Sequence, residues 1–298
     1  MSIQRGIALI QVLIISFILS ILGLYIMQSS RDQIKTTYSI KNAMDLRVEI
    51  ETAEAKVINA LLSEFKFQRK NSLNSIVSQW NFHNTPFDIG NVRVQIQDLN
   101  GLISLNTTDK QLLYDLLIKF NIEDADKNEF IDSLADWKDD DDLRHLSGAE
   151  RNYYETLNKM GPRNGYLQSI AEVNYIRKSE VLNKSQWNKY FTIEHTSGFN
   201  PSRSPEMILK AFVKDDTKVA KLIELRDNAQ LDENSFYSIV AEDSSEFISF
   251  LSGNTFYVKL VAEAEKQKIT KKMTIKLRSR SITRPVVITN VMWNINEN

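Results

Sequence analysis

From Ile7 to Met27 the chain is apolar except at Gln11, Ser16, Ser20 and Gly23, and no charge falls among the 25 residues between Arg5 and Arg31. Roughly 20 helical residues suffice to cross a hydrocarbon core of about 30 Å, so this run is long enough to span a membrane. A cleavable secretory signal is expected to have an apolar core of about 7–15 residues and a small-x-small site. The run here is longer, and Tyr25-Ile-Met-Gln-Ser-Ser30 offers a poor site. As a plain anchor it places Arg5 inside and the bulk of the chain outside. No turn follows. Residues 28–70 contain neither Gly nor Pro. Ala43, Leu46, Ile50, Ala53, Val57, Ala60, Leu61 and Phe65 recur there at spacings of three and four, one helical stripe. The pattern predicts a single helix that starts in the membrane and runs on to about Phe67, some 90 Å at 1.5 Å per residue.

The pattern then changes period. Val92-Arg-Val-Gln-Ile-Gln-Asp98 alternates strictly, as a strand with one wet face does. Further β-branched and aromatic runs come at 255–262, 273–277 and 286–293. Between 100 and 250 the chain reads mostly helical, over 110–120, 128–137, 148–159, 167–177, 205–212 and 218–226. A long helix followed by an antiparallel sheet is an α+β arrangement, here with a helical module inserted into the sheet domain. The module has an internal echo. Val92 to Gly101 followed by Leu105-Asn106 is echoed by Tyr190 to Gly198 followed by Phe199-Asn200.

Composition narrows the chemistry. The 298 residues carry 37 Lys+Arg against 38 Asp+Glu, a net charge of −1, which points to no nucleic acid. Without cysteine there is no disulfide, thiolate nucleophile or Cys-ligated zinc. His83, His145 and His195 are scattered in sequence, which argues against zinc altogether. No G-x-S-x-G, Walker A or G-x-G-x-x-G pattern is present, so enzyme readings are poor.

Five aspartates lie between Asp136 and Asp142. One reading is a solvated loop, since a block of like charge repels itself. The other is calcium, which takes six to eight oxygen ligands in flexible geometry and would relieve that repulsion. Asp139 and Asp141 sit at i, i+2, a spacing that lets loop carboxylates converge, and Glu150 at the next helix start can close the set. A second run, Asp124-Ala-Asp126-Lys-Asn128, mimics half an EF-hand loop. It has Glu129 where that loop needs Gly and Ala135 where it needs Glu, and reads as a helix cap or loop.

A leader ending in Arg5-Gly6 before such a helix resembles the class III leader of type IV pilins and type II secretion pseudopilins. Ile131-Asp-Ser-Leu-Ala-Asp136-Trp137-Lys138-Asp139-Asp140-Asp141-Asp142, then Gly148-Ala-Glu150 and Tyr153-Tyr154, resembles the "D-W-x-D-x-D … G-A-E-x-x-Y-Y" signature of the K-type minor pseudopilin. Leu99 to Asn106 and Leu167 to Val173 fall in that family's order. The resemblance implies a leader over 1–6 removed after Gly6 and a methylated mature end at Ile7. It implies a membrane helix over 7–28, with the periplasmic helix and first strand of a pilin-like domain over 29–98. An inserted helical domain over 99–250 and the remaining strands over 251–298 complete the expectation. The fifth mature position is Gln11 where most pilins have Glu, and the K type is the member that lacks it. By resemblance the protein is a non-enzymatic tip subunit of the pseudopilus. It would be anchored in the inner membrane and partnered by the I and J types, the major pseudopilin and the prepilin peptidase. Its calcium would be held by Asp136, Asp139, Asp141, Asp142 and Glu150. The alternatives are a minor pilin of a type IV pilus and a bitopic, membrane-anchored periplasmic binding protein.

Overall fold

A computed structural model of the chain describes residues 4–107, 110–196, 198–240, 248–264, 267–278 and 280–295. The first three residues of the expected leader lie outside these. Helix α1, Gln4–Ser63, runs unbroken for 60 residues, as the absence of Gly and Pro after Gly23 permits. Its two halves have different surroundings. Every large apolar side chain from Leu9 to Met27 is at least 50% exposed, and this helix is long and apolar enough to cross a membrane. Further on, Leu46, Ile50, Ala53, Val57, Ala60 and Leu61 are buried on one stripe. Phe65, expected on that stripe, is exposed instead. The helix stops at Ser63 rather than near Phe67. The Lys66 carbonyl is taken by the Arg203 guanidinium (2.7 Å) and the Ser252 hydroxyl (2.9 Å), which pulls the chain away from helical geometry.

The stripe lies on a five-stranded antiparallel sheet of order β1-β2-β5-β6-β7. Its strands are β1 (Phe87–Ile89), β2 (Val92–Asp98), β5 (Thr255–Ala264), β6 (Gln267–Leu277) and β7 (Val286–Ile295). A short helix, α2 (Ser75–Gln79), precedes β1. In β2 the alternation works as read: Val92, Val94 and Ile96 are buried and Arg93 is exposed. They meet Ala262, Leu260 and Val258 across the β5 register and, with Ile50, Val57, Trp80, Phe82 and Met273, form one core. Strand β6 begins six residues before the expected Met273. Lys268, Lys271 and Lys272 interrupt the apolar pattern that marks a strand. Lys271 is nonetheless buried, because its ammonium pairs with Glu54 of α1 and sits 4.7 Å from the centre of the Trp293 ring.

Between β2 and β5 a helical module has its own core. It contains α3 (Lys110–Lys119), α4 (Asp124–Lys138), α5 (Arg151–Thr156), α6 (Lys184–Tyr190), α7 (Glu206–Val213), α8 (Asp216–Asp227) and α9 (Glu233–Val240). Leu116, Phe130, Leu134, Trp137, Tyr154 and Trp187 anchor the main core, and Leu222, Phe236 and Val240 a smaller one. Helix α5 is shorter than the expected 148–159: it starts after Glu150 and ends at Thr156. The expected helix over 167–177 holds only a 3₁₀ turn at Ile170–Tyr175. The two echoing segments lie side by side. Strand β3 (Ile103–Ser104) pairs in parallel with β4 (Phe191–Thr192), and the Asn200 amide donates to the Asn100 carbonyl at 2.8 Å.

Candidate functional site

Helix α4 turns Phe130, Ile131, Leu134 and Trp137 into the core, and this also carries Asp136 to full burial. One oxygen of Asp136 accepts the His145 backbone amide (3.0 Å) and meets the His145 Nδ1; its Oδ2 has no hydrogen-bond partner among the described residues. One turn earlier, Asp132 accepts the Ser147 amide at 3.0 Å. Together these two carboxylates gather the loop that follows the aspartate run. Gly148 is required there, since a Cβ would sit 2.0 Å from Asp136 Oδ2. Asp139 caps the end of α4 through its amide, and among the described residues its Oδ1 is buried without a hydrogen-bond partner. Glu150, only 6% exposed at the start of α5, makes no side-chain cap, and among the described residues both its carboxylate oxygens are buried without a hydrogen-bond partner.

Electrostatics follow from this crowding. Burial, then the charges of Asp136 and Asp141, push the Asp139 carboxyl above the usual range. Burial, then Asp136 and Asp139, do the same to Glu150. A buried carboxylate without a compensating donor or cation is costly, so the pocket has an unmet need for positive charge. Asp136, Asp139 and His145 each offer one ligand atom, and these atoms lie within 4.8 Å of one another. Asp141 and Asp142 are exposed on the loop; Asp141 accepts the Leu143 amide at 2.8 Å. The structure thus draws Asp136, Asp139 and Glu150 into one field and leaves Asp141 and Asp142 on its rim. Sequence reasoning missed His145. His83 and His195 do lie elsewhere, but His145 is delivered to the acids by the loop, nine residues from Asp136 and outside any periodic pattern.

The rest of the signature braces this pocket. The Trp137 indole donates to Glu172 (3.0 Å), which also accepts the Arg163 guanidinium (2.6 Å) and the Gln168 amide (3.0 Å). Burial would raise the Glu172 carboxyl, but those three donors outweigh it and hold it below the usual range. Trp137 stands edge-on to Tyr154 at 5.4 Å, and the Tyr154 hydroxyl accepts the Arg177 amide. Arg177 bonds Glu129 at 2.8 Å and the Gly148 carbonyl at 3.3 Å. The second acidic run is neutralised: Asp124 pairs with Lys127 and Asp126 with Lys178 in the first turn of α4. At the other end of the molecule, Gly6 and Ile7 lie within α1 and Gln11 is exposed on its bare half.

Residues 87–186 match the family model for protein K of the type II secretion system. A curated Escherichia coli type II secretion system protein K is 24% identical over 201 residues, covering 62% of this chain and 60% of that protein. The chain thus spans less than two thirds of that relative. Among solved structures, a chain of the GspK-GspI-GspJ complex from the enterotoxigenic Escherichia coli type 2 secretion system aligns with a TM-score of 0.55 at 15% identity. The alignment covers 88% of this chain and 99% of that one. That likeness shows the fold: a long helix on an antiparallel sheet with a helical module inserted. The resemblance to K-type pseudopilins read from the sequence is thereby borne out, and the segment 87–186, which holds the acidic pocket, carries it.

Proposed function

We propose that this protein is a minor pseudopilin of a type II secretion system and that it works by assembly rather than by chemistry. The observation that carries the reading is the division of α1. Its bare half suits lipid and neighbouring helices, while the other half is fixed to a rigid sheet. The anchor lies in the inner membrane, with the sheet and the insert in the periplasm. Partners are the I- and J-type minor pseudopilins, by analogy with the GspK-GspI-GspJ complex, together with the major pseudopilin. The prepilin peptidase cuts after Gly6 and leaves Ile7 as the methylated first residue.

Two features favour the uppermost place in the filament. Gln11 is neutral where most pilins carry Glu, so a subunit with no neighbour above leaves no unpaired charge in the bilayer. The insert between β2 and β5 would obstruct a further layer of close-packed subunits. Calcium fits the donor set of the acidic pocket. Asp136, Asp139 and Glu150 would hold it, with Asp141 and Asp142 available from the rim. It would supply the positive charge that the orphaned buried oxygens lack and so order the loop over 139–150. The test is to label the periplasmic domain and image sheared pseudopili from cells that overproduce the major pseudopilin. Label at one end only is expected. Label spaced along the shaft would overturn the tip reading.

A further inference from the structure

Among the described residues of the metal-ligating cluster, His145 supplies the one nitrogen donor beside the oxygens of Asp136 and Asp139. The imidazole is not a surface group that strays there. Its own amide is held by Asp136 (3.0 Å), its carbonyl accepts the Gly148 amide (3.1 Å), and two residues on the Ser147 amide is held by Asp132. Nδ1 meets Asp136 Oδ1 and lies 3.9 Å from Asp139 Oδ2. Among the described residues, Asp136 Oδ2 and Asp139 Oδ1 of the same cluster are buried without a hydrogen-bond partner, as are both oxygens of Glu150. Glu150 is nine-tenths buried, so its carboxylate has no solvent to fall back on.

Calcium is hard and takes oxygen ligands, so an imidazole adds little to its binding. Zinc and manganese accept imidazole and carboxylate together, and zinc binds such N,O sets more tightly than manganese. We infer that this pocket takes a zinc-like divalent transition cation in competition with calcium, and that His145 is the ligand that discriminates between them. The inference rests on the reading of the pocket as a cation site. It adds the nitrogen ligand and the class of metal that this ligand selects.

The test uses the full chain, purified in detergent and stripped with chelator. Calcium and zinc are titrated separately and in competition by calorimetry, with cobalt as a spectroscopic probe of nitrogen ligation through its visible absorption. Zinc should displace calcium, and cobalt should give visible bands. Both His145→Ala and His145→Gln should lower zinc affinity at least about tenfold, abolish the cobalt bands and leave calcium affinity within about twofold. The glutamine variant keeps a polar group for Asp136 and guards against a loss due to misfolding. His195→Ala should change none of these values. If calcium binds but zinc does not displace it, or if the His145 variants bind zinc like wild type, the inference falls and the calcium reading stands. If neither cation binds, both fall.

Discussion

Gly148→Ala tests how rigid the acidic pocket is, because two effects of known sign oppose each other. Gly148 is not among the glycines with positive φ, so alanine meets no backbone strain there. On that count alone the change should stabilise by about 0.4–1 kcal/mol, through the unfolded chain. Against it stands crowding. The new Cβ would lie 2.0 Å from Asp136 Oδ2, 2.8 Å from Asp136 Cγ and 3.2 Å from the backbone carbon of Asp132. Asp136 cannot swing aside at low cost: it is fully buried, and its other oxygen holds the His145 amide. Overpacking of this kind costs about 1–3 kcal/mol. The net expectation is destabilisation by roughly 1–2 kcal/mol, a fall in Tm of about 2–8 °C for a chain of this size.

The assay is thermal unfolding of the full chain in detergent and chelator, followed by circular dichroism. Gly161→Ala is the control, since its added Cβ would find nothing closer than 3.6 Å. That variant should be neutral or slightly stabilised. A Gly148→Ala protein that melts with or above wild type would refute the idea that Asp136 is held rigidly, and with it the view of the pocket as preorganised.

Ile50→Ala should cost about 2–5 kcal/mol in the same assay because Ile50 is fully buried against the sheet, whereas Val48→Ala, 62% exposed on the opposite face, should be neutral. Calcium at a hundredfold excess over its dissociation constant should stabilise the wild type by about 2.7 kcal/mol. Glu150→Gln should raise the chelator-treated Tm, by removing an uncompensated buried charge, and should lose the calcium gain; a variant that keeps the full gain would remove Glu150 from the site. His83 gives a pH dependence. Burial, then the nearby Arg226 and Arg203 guanidiniums, hold its imidazole down to about 3 from an ordinary 6.5. Below pH 6.5 the unfolded chain binds the proton and the folded chain does not. Stability present above 6.5 is therefore lost as pH falls, by up to about 1.4 kcal/mol per unit, and His83→Gln should flatten this slope relative to wild type.

Periodic elements were legible because their cause is local. The α1 stripe and the alternation of β2 follow from which residues must face a core, and both are found. What the sequence hid was decided by distant partners. The lysines of β6 look like a turn until Glu54 and Trp293 are placed beside Lys271. Helix α6 does carry a local signal, the Asn183–Gln186 capping box, but no apolar period accompanies it over its seven residues. In the site, the aspartate run was visible but its division was not. Asp136, Asp139 and Glu150 turn inward while Asp141 and Asp142 stay wet, because only the first three are carried by helix ends packed on Trp137 and Tyr154. His145 had no periodic signature at all; a loop closed by two aspartates and one glycine brings it in.

The insert could have hung from the sheet on two loose connections, but one buried node prevents this. Asp98, at the end of β2, accepts the amides of Asn100 (3.0 Å) and Gly253 (2.8 Å), so the chain's entry to the insert is bonded to its exit. The fit is close: a Cβ on Gly253 would lie 2.4 Å from Asp98 Oδ1. Burial pushes the Asp98 carboxyl up, and those amides with Arg203 and Lys66 partly oppose the shift. Arg203 then spans the parts. It reaches the Lys66 carbonyl just past α1, stacks 4.8 Å from the Phe82 ring, and its own carbonyl accepts Gln97 of β2 at 2.8 Å. Sheet, insert and the end of α1 therefore meet around Asp98 and Arg203. These contacts tie the insert to the end of α1 as well as to the sheet. Such a coupling is of little use to a protein that only binds a soluble ligand. It suits the proposed role, in which helix and head enter an assembly in one fixed orientation.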